Sequence, residues 1–254
     1  MPDSPWLFGS LHGVNMIDEL LIQSGFSCNG ARYHYQRIHD QNGELRIYEQ
    51  LCRLKLNAKP LIECIGYLTE QQRLNLDLIS ILSAQRLLCQ DPLIDAVSIN
   101  IEPSNLTSGH FLQMVSELQS SFNNRIIVEV TERGNVEDMD LIILGCKQIQ
   151  SLGFSVALDD FTTGINQLGI LSQLDVDYVK IDGSLIKEVE NNVRARAILS
   201  SLLALEEKLS FKVIAEHIET SSQYQLLKSM GIQFYQGFYL STPHAIKPLN
   251  PHVS

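Results

Sequence analysis

Six short runs rich in valine, isoleucine and leucine constrain the fold of this chain more than any other feature. They are DAVSINI (95–101), RIIVEV (125–130), FSVALDD (154–160), YVKI (178–181), KVIAE (212–216) and IQFYQG (232–237). Helical patterns lie between and around them, near 104–121, 137–152, 166–173, 184–208 and 220–230. Strands that are apolar along their length are buried on both faces, as in a parallel sheet covered by helices. Ahead of the series, ARYHYQRI and ELRIYEQL flank HDQNG and predict a hairpin turning at Asn42–Gly43. The pattern near 70–89 predicts a helix whose Thr69 and Gln72 are spaced as a capping box. Six or more strand–helix units in a chain of 254 residues predict a closed α/β barrel rather than an open doubly wound sheet. Residues 1–30 read as an appended leader with room for one helix, and residues 31–254 as the barrel domain.

Composition narrows the function. No run of about 18 apolar residues appears, so no membrane span is expected. The first residues have no basic flank and no small-residue cleavage site, which argues against a signal peptide. Five cysteines, odd in number and without a CxxC, suit a reduced cytoplasmic protein. The net charge of −10 argues against a general affinity for DNA or for an anionic membrane surface. Neither GxGxxG nor GxxxxGK[ST] is present.

The strand ends carry the chemistry. Glu49 ends the second hairpin strand, Asn100 lies in VSINI, and Glu129 interrupts IIVEV. Asp159 and Asp160 follow FSVAL, Lys180 sits in YVKID, Glu216 in VIAEH and Gln236 in FYQGF. A single acid near a strand end is more often a helix cap or an ion-pair partner. Ionised carboxylates in apolar surroundings are nevertheless tolerated only when paired, hydrogen-bonded or metal-bound. In a barrel the C-terminal strand ends converge on one face, where active sites lie. Carboxylates and an amide are hard oxygen donors that select Mg²⁺, Mn²⁺ or Ca²⁺, and no HxH or HExxH pair points to zinc.

The ordered series Glu49-Gln50-Leu51-Cys52-Arg53, Asn100, Glu129-Val130-Thr131-Glu132, Asp159-Asp160-Phe161, Lys180-Ile181-Asp182, Ala215-Glu216, Glu219-Thr220 and Gln236-Gly237 resembles the EAL family of cyclic-di-GMP phosphodiesterases. The resemblance covers residues 31–245. It implies a modified TIM (β/α)8 barrel with an antiparallel first strand, and hydrolysis of cyclic di-GMP to linear pGpG. It implies two ions, Mg²⁺ or Mn²⁺, one on Glu49, Asn100, Glu129 and Asp159, the second on Asp159 with Asp160 and Glu216. Lys180 would orient and help activate the attacking water, with Glu49 in the catalytic group and Glu216 a candidate for proton handling. Arg53 would hold a phosphate, Gln36 a guanine, and Asp182 and Gln236 would serve substrate binding. Glu132 would brace the loop after Asp160, and Glu219 would support the site. A homodimer is implied, and a separate regulatory protein is a possible partner.

The chain also departs from the family pattern. Gln50 stands where the family has alanine, Arg37 for proline, Glu102 for serine, Thr162 for glycine and His217 for glycine. Thr162 and the altered loop after it favour weighing a second reading, a receptor that binds cyclic di-GMP without cleaving it and acts through protein contacts, while intact Lys180 and Glu216 count against it. An enolase-type barrel also uses strand-end carboxylates with Mg²⁺, but roughly 30 leading residues are too few for its capping domain.

Overall fold

The computed structural model describes residues 9–28, 30–118, 122–130, 139–161 and 167–246. Its main sheet is built from β1 (Tyr33–Asp40), β2 (Ile47–Cys52), β3 (Ala96–Asn100), β4 (Ile126–Val130), β5 (Ser155–Phe161), β6 (Tyr178–Ile181), β7 (Lys212–Ala215) and β8 (Phe234–Tyr235). The sheet closes in the order β7-β8-β1-β2-β3-β4-β5-β6. β1 is antiparallel to both of its neighbours, and the other pairs are parallel. The chain is therefore an α/β protein, a modified TIM barrel with an antiparallel first strand.

The helices are α1 (Gly9–Ser24), α2 (Glu70–Gln90), α3 (Pro103–Leu106), α4 (Gly109–Glu117), α5 (Met139–Ser151), α6 (Gln167–Leu171), α7 (Gly183–Glu188), α8 (Val193–Leu209) and α9 (Ser221–Ser229). The Thr69–Gln72 capping box opens α2, with both reciprocal hydrogen bonds present. Two single helices expected from sequence are each divided. The 184–208 pattern breaks into α7 and α8, because Asn192 caps a fresh start by accepting from the Arg194 and Ala195 amides. The 104–121 pattern breaks into α3 and α4, where Ser108 accepts from the Phe111 amide. A small antiparallel sheet of Phe26–Ser27, Lys55–Leu56 and Lys59–Pro60, followed by a short helix at Leu61–Cys64, has no counterpart in the sequence reading. α1 packs beside α2 and buries Ile17, Leu20 and Leu21 in the outer core.

Side chains along a strand alternate between its two faces. Here one face meets the helices and the other fills the barrel. Ile38, Ile47, Ile127, Ala157, Ile214 and Phe234 form a separate inner cluster, with Ala96 and Tyr178 packed on it. This plug closes the lower half of the lumen. Two residues along each strand, on the same inward face, lie Gln36, Glu49, Glu129, Asp159, Glu216 and Gln236, with Ser98 above Ala96 and Lys180 above Tyr178. Period two thus sets a polar layer directly over an apolar one. The outward faces, such as Val97, Ile99, Val128, Val156, Val179 and Val213, are buried under the helices.

Candidate active site

Lys180 organises the polar layer. Its side chain is only 2% exposed, and its Nζ lies 2.8 Å from Glu129 Oε2, 2.9 Å from Glu216 Oε1, 3.2 Å from Asp159 Oδ1 and 3.9 Å from Glu49 Oε2. Burial by itself would lower the Lys180 pKa. The facing carboxylates, Glu129 first and then Glu216, Glu49 and Asp159, override it and hold the ammonium well above its usual value. The carboxylates outnumber that single cation four to one. Burial pushes Glu129 up to about 8 against the opposing pull of Lys180, and Glu49 and Asp159 add to the rise. Glu216 is raised for the same reason, burial first, with Asp159, Glu49 and Glu129 adding to it. The layer is short of positive charge.

Amides and a hydroxyl fix the acids in place. Ser98 Oγ donates to Glu129 Oε1 at 2.6 Å. Gln236 Nε2 donates to Glu49 Oε2 at 2.5 Å and lies 3.3 Å from Gln36 Oε1, while Gln36 Nε2 donates to the Ser241 carbonyl at 3.0 Å. Asn100 Nδ2 reaches Glu49 Oε1 at 3.4 Å. The structure therefore gathers Gln36, Glu49, Asn100, Glu129, Asp159, Lys180, Glu216 and Gln236 into one cluster. Asp160 follows directly at the β5 tip, in a left-handed conformation with φ 52°.

The other expected residues lie around this cluster or outside it. Arg53 is exposed, and its Nη1 donates to the Cys52 carbonyl at 2.8 Å. Asp182 caps α7 by accepting from the Ser184 amide at 2.9 Å. Burial opposes the ionisation of Asp182, but the Ser184 hydrogen bonds and the neighbouring His217 hold its carboxyl below the usual range. Glu219 is exposed and lies 3.9 Å from Lys187, apart from the carboxylate cluster. Glu132 and Thr162 lie outside the described residues. Glu102 caps α3, and its amide donates to buried Asp77.

Two contributors escaped the sequence reading. Ser98 sits two residues before Asn100 on the inward face, a position that only the strand register reveals. Gln50, the departure from alanine, faces outward. It accepts from the Tyr35 hydroxyl at 3.3 Å and donates to the Ser80 carbonyl of α2 at 3.1 Å, bracing the strand that carries Glu49.

The donor set suits a hard divalent cation, being carboxylate and amide oxygen without thiolate. Asp159 Oδ1 is buried and has no hydrogen-bond partner, although Lys180 is near it. Among the described residues no three acid, histidine or cysteine side chains are set, as they stand, to hold a metal ion between them. The point that the carboxylates share is where the Lys180 ammonium lies.

The EAL domain profile matches residues 21–243. Over 150 residues the chain is 34% identical to the probable cyclic di-GMP phosphodiesterase PdeG of Escherichia coli K12, covering 58% of this chain and 30% of that protein. Over 153 residues it is 30% identical to the cyclic di-GMP phosphodiesterase PdeB of Shewanella oneidensis MR-1, covering 59% of this chain and 18% of that protein. The chain thus spans less than a third of the length of these curated relatives. Among solved structures, the manganese and cyclic-di-GMP complex of BlrP1 from Klebsiella pneumoniae superposes with a TM-score of 0.73 at 25% identity, covering 86% of this chain and 58% of that one.

Proposed function

The chain belongs to the EAL domain family, and from that premise we propose that it is a phosphodiesterase that hydrolyses cyclic di-GMP to linear pGpG with Mg²⁺ or Mn²⁺. The observation that carries the reading is the ring of four carboxylates around one buried ammonium. Surplus buried negative charge needs cations or protons to offset it. Its cost is accounted for if the acids exist to hold metal.

Glu49, Asn100, Glu129 and Asp159 would hold one ion, and Asp159, Asp160 and Glu216 a second. When bound, such ions lower the pKa of water and neutralise phosphoryl charge. The chain's own groups do the rest. Lys180 Nζ, held among Glu129, Glu216 and Asp159, donates hydrogen bonds that orient the attacking water. Glu216, whose carboxylate lies 2.9 Å from Lys180 Nζ, is the candidate that handles the proton. Gln236 and Gln36 hold Glu49 in its rotamer, and Gln36 presents its amide to a guanine. Arg53, exposed at the end of β2, supplies a guanidinium to a substrate phosphate. A homodimer, a separate regulatory partner and a cytoplasmic setting belong to the same proposal, as does the role of residues 1–30 as a leader.

Incubation of purified protein with cyclic di-GMP and Mg²⁺ or Mn²⁺, with pGpG followed by chromatography beside a Glu49→Ala control, tests the reading. Product from the unaltered chain alone supports it. One observation favours a second reading, a receptor that binds without cleaving: the shared point of the acids is filled by Lys180 rather than left as a metal cage. Nucleotide binding without product would establish that alternative.

A further inference from the structure

The tips of β5 and β7 share a local design. Leu158-Asp159-Asp160-Phe161 and Ala215-Glu216-His217-Ile218 each read as outward apolar residue, inward acid, left-handed residue, outward apolar residue. The four apolar residues all belong to the outer core, while Asp160 and His217 have φ of 52° and 53°. At β5 the register with β6 slips between Leu158 and Phe161. An inserted left-handed residue adds one side chain beside the acid without turning the outward face, as a bulge does. A residue other than glycine in that conformation is strained. His217 carries the strain with an exposed imidazole.

Gly183 makes the berth for that ring. A Cβ at position 183 would lie 2.7 Å from His217 Cβ and Cγ and 2.9 Å from Nδ1. The imidazole is thus seated by one edge on Gly183 at the start of α7, and its residue, next to Glu216 in the chain, is exposed. The neighbouring loop is tied to the same tip, since the Ile218 amide donates to the Gln236 carbonyl at 3.1 Å and the Tyr239 amide to the Ile218 carbonyl at 3.0 Å. Phe238, 68% exposed, lies in that loop.

We infer that His217 is a contact residue that stacks on a purine of the bound nucleotide. The inference rests on the cyclic-di-GMP reading of this site and names an affinity contact within it. With one edge of the ring set against Gly183, what it offers a ligand is its flat face. Aromatic faces stack on any base, independently of hydrogen-bond pattern.

The test is calorimetric binding of cyclic di-GMP to the unaltered chain, His217→Gly and His217→Phe, with kcat and KM measured alongside. The expected results are an affinity about tenfold weaker for His217→Gly, a KM that rises more than kcat falls, and recovery of affinity in His217→Phe. His217→Gly should also melt higher than the unaltered chain, because the left-handed strain is relieved, so its weaker binding would not reflect unfolding. Equal affinity of His217→Gly and the unaltered chain would overturn the inference. So would a His217→Phe variant as weak as His217→Gly, which would assign the contact to an N–H group or a charge. Binding without hydrolysis by the unaltered chain would remove the phosphodiesterase reading alone, and the affinity comparison would still decide the stacking. Absence of binding by the unaltered chain would overturn both.

Discussion

Lys180 illustrates how one residue can hold a site together. Among the described residues its ammonium is the one positive group that pairs with the four central acids. Removing the single cation of a buried charged cluster leaves its acids uncompensated, at about 3–5 kcal/mol. Lys180→Met should therefore unfold at clearly lower urea in the absence of metal. Product formation should fall by at least about a hundredfold if the ammonium orients the attacking water. A variant that loses stability but keeps turnover would leave Lys180 as a structural cation. Gln50 makes the complementary case. Its replacement by alanine strips a partner from the Tyr35 hydroxyl and from the Ser80 carbonyl, both buried, which costs about 2 kcal/mol. An unchanged urea midpoint for Gln50→Ala would show that the bridge adds nothing. The central acids and Lys180 were legible in the sequence because they interrupt apolar runs, where a charge stands out. Ser98 and Gln50 were not. A serine within a strand looks like filler, and a glutamine beside a key glutamate looks like neutral variation until register shows which face each occupies.

At the scale of the elements, α2 is the most informative. Its apolar face is interrupted by buried Asn75, Asp77 and Ser80. Asn75 Nδ2 donates to Ser24 Oγ of α1 at 2.9 Å, and Asp77 Oδ2 accepts from the Glu102 amide at 2.9 Å and Asn105 Nδ2 at 2.7 Å. The helix therefore ties α1, the Glu49 strand and the segment after Asn100 to one another. Burial pushes Asp77 up to about 7, against the pull of those hydrogen bonds. A carboxyl raised on folding stabilises fully below its unfolded pKa and loses that contribution as pH climbs to the folded value. Stability should thus decline by about 1.4 kcal/mol per unit between roughly pH 4 and 7 on this account alone. Asp77→Asn, which keeps an acceptor oxygen and cannot ionise, should show a shallower slope in urea unfolding across that range. Identical slopes would mean that Asp77 is already solvated. The strands were legible as elements because their composition and period agree. The breaks at Asn192 and Ser108 were missed because apolar spacing of helical period continues across them. There a capping side chain outcompetes the pattern through hydrogen bonds to the next turn.

For the molecule as a whole, the barrel separates two tasks along its axis. The inner plug of Ile38, Ile47, Ile127, Ala157, Ile214 and Phe234 supplies burial, and the layer one step above spends part of that stability holding like charges together. This arrangement predicts a specific coupling between ions and folding. An ion that binds only the folded chain stabilises it by RT ln(1 + [L]/Kd), about 2.7 kcal/mol at a hundredfold excess over Kd. For a chain of this size that corresponds to a rise in Tm of roughly 5–10 °C. Mn²⁺ or Mg²⁺ at such excess should produce the rise in a thermal melt without nucleotide, and chelation should reverse it. Glu129→Gln, which removes one acid from the ring while keeping a hydrogen-bond acceptor for Ser98, should melt near the unaltered chain without metal. It should gain much less from the ion. A full metal-induced rise in Glu129→Gln would place the cation elsewhere than the barrel mouth. No rise in the unaltered chain would mean that protons and Lys180 alone offset the acids, the condition expected of a receptor rather than of an enzyme.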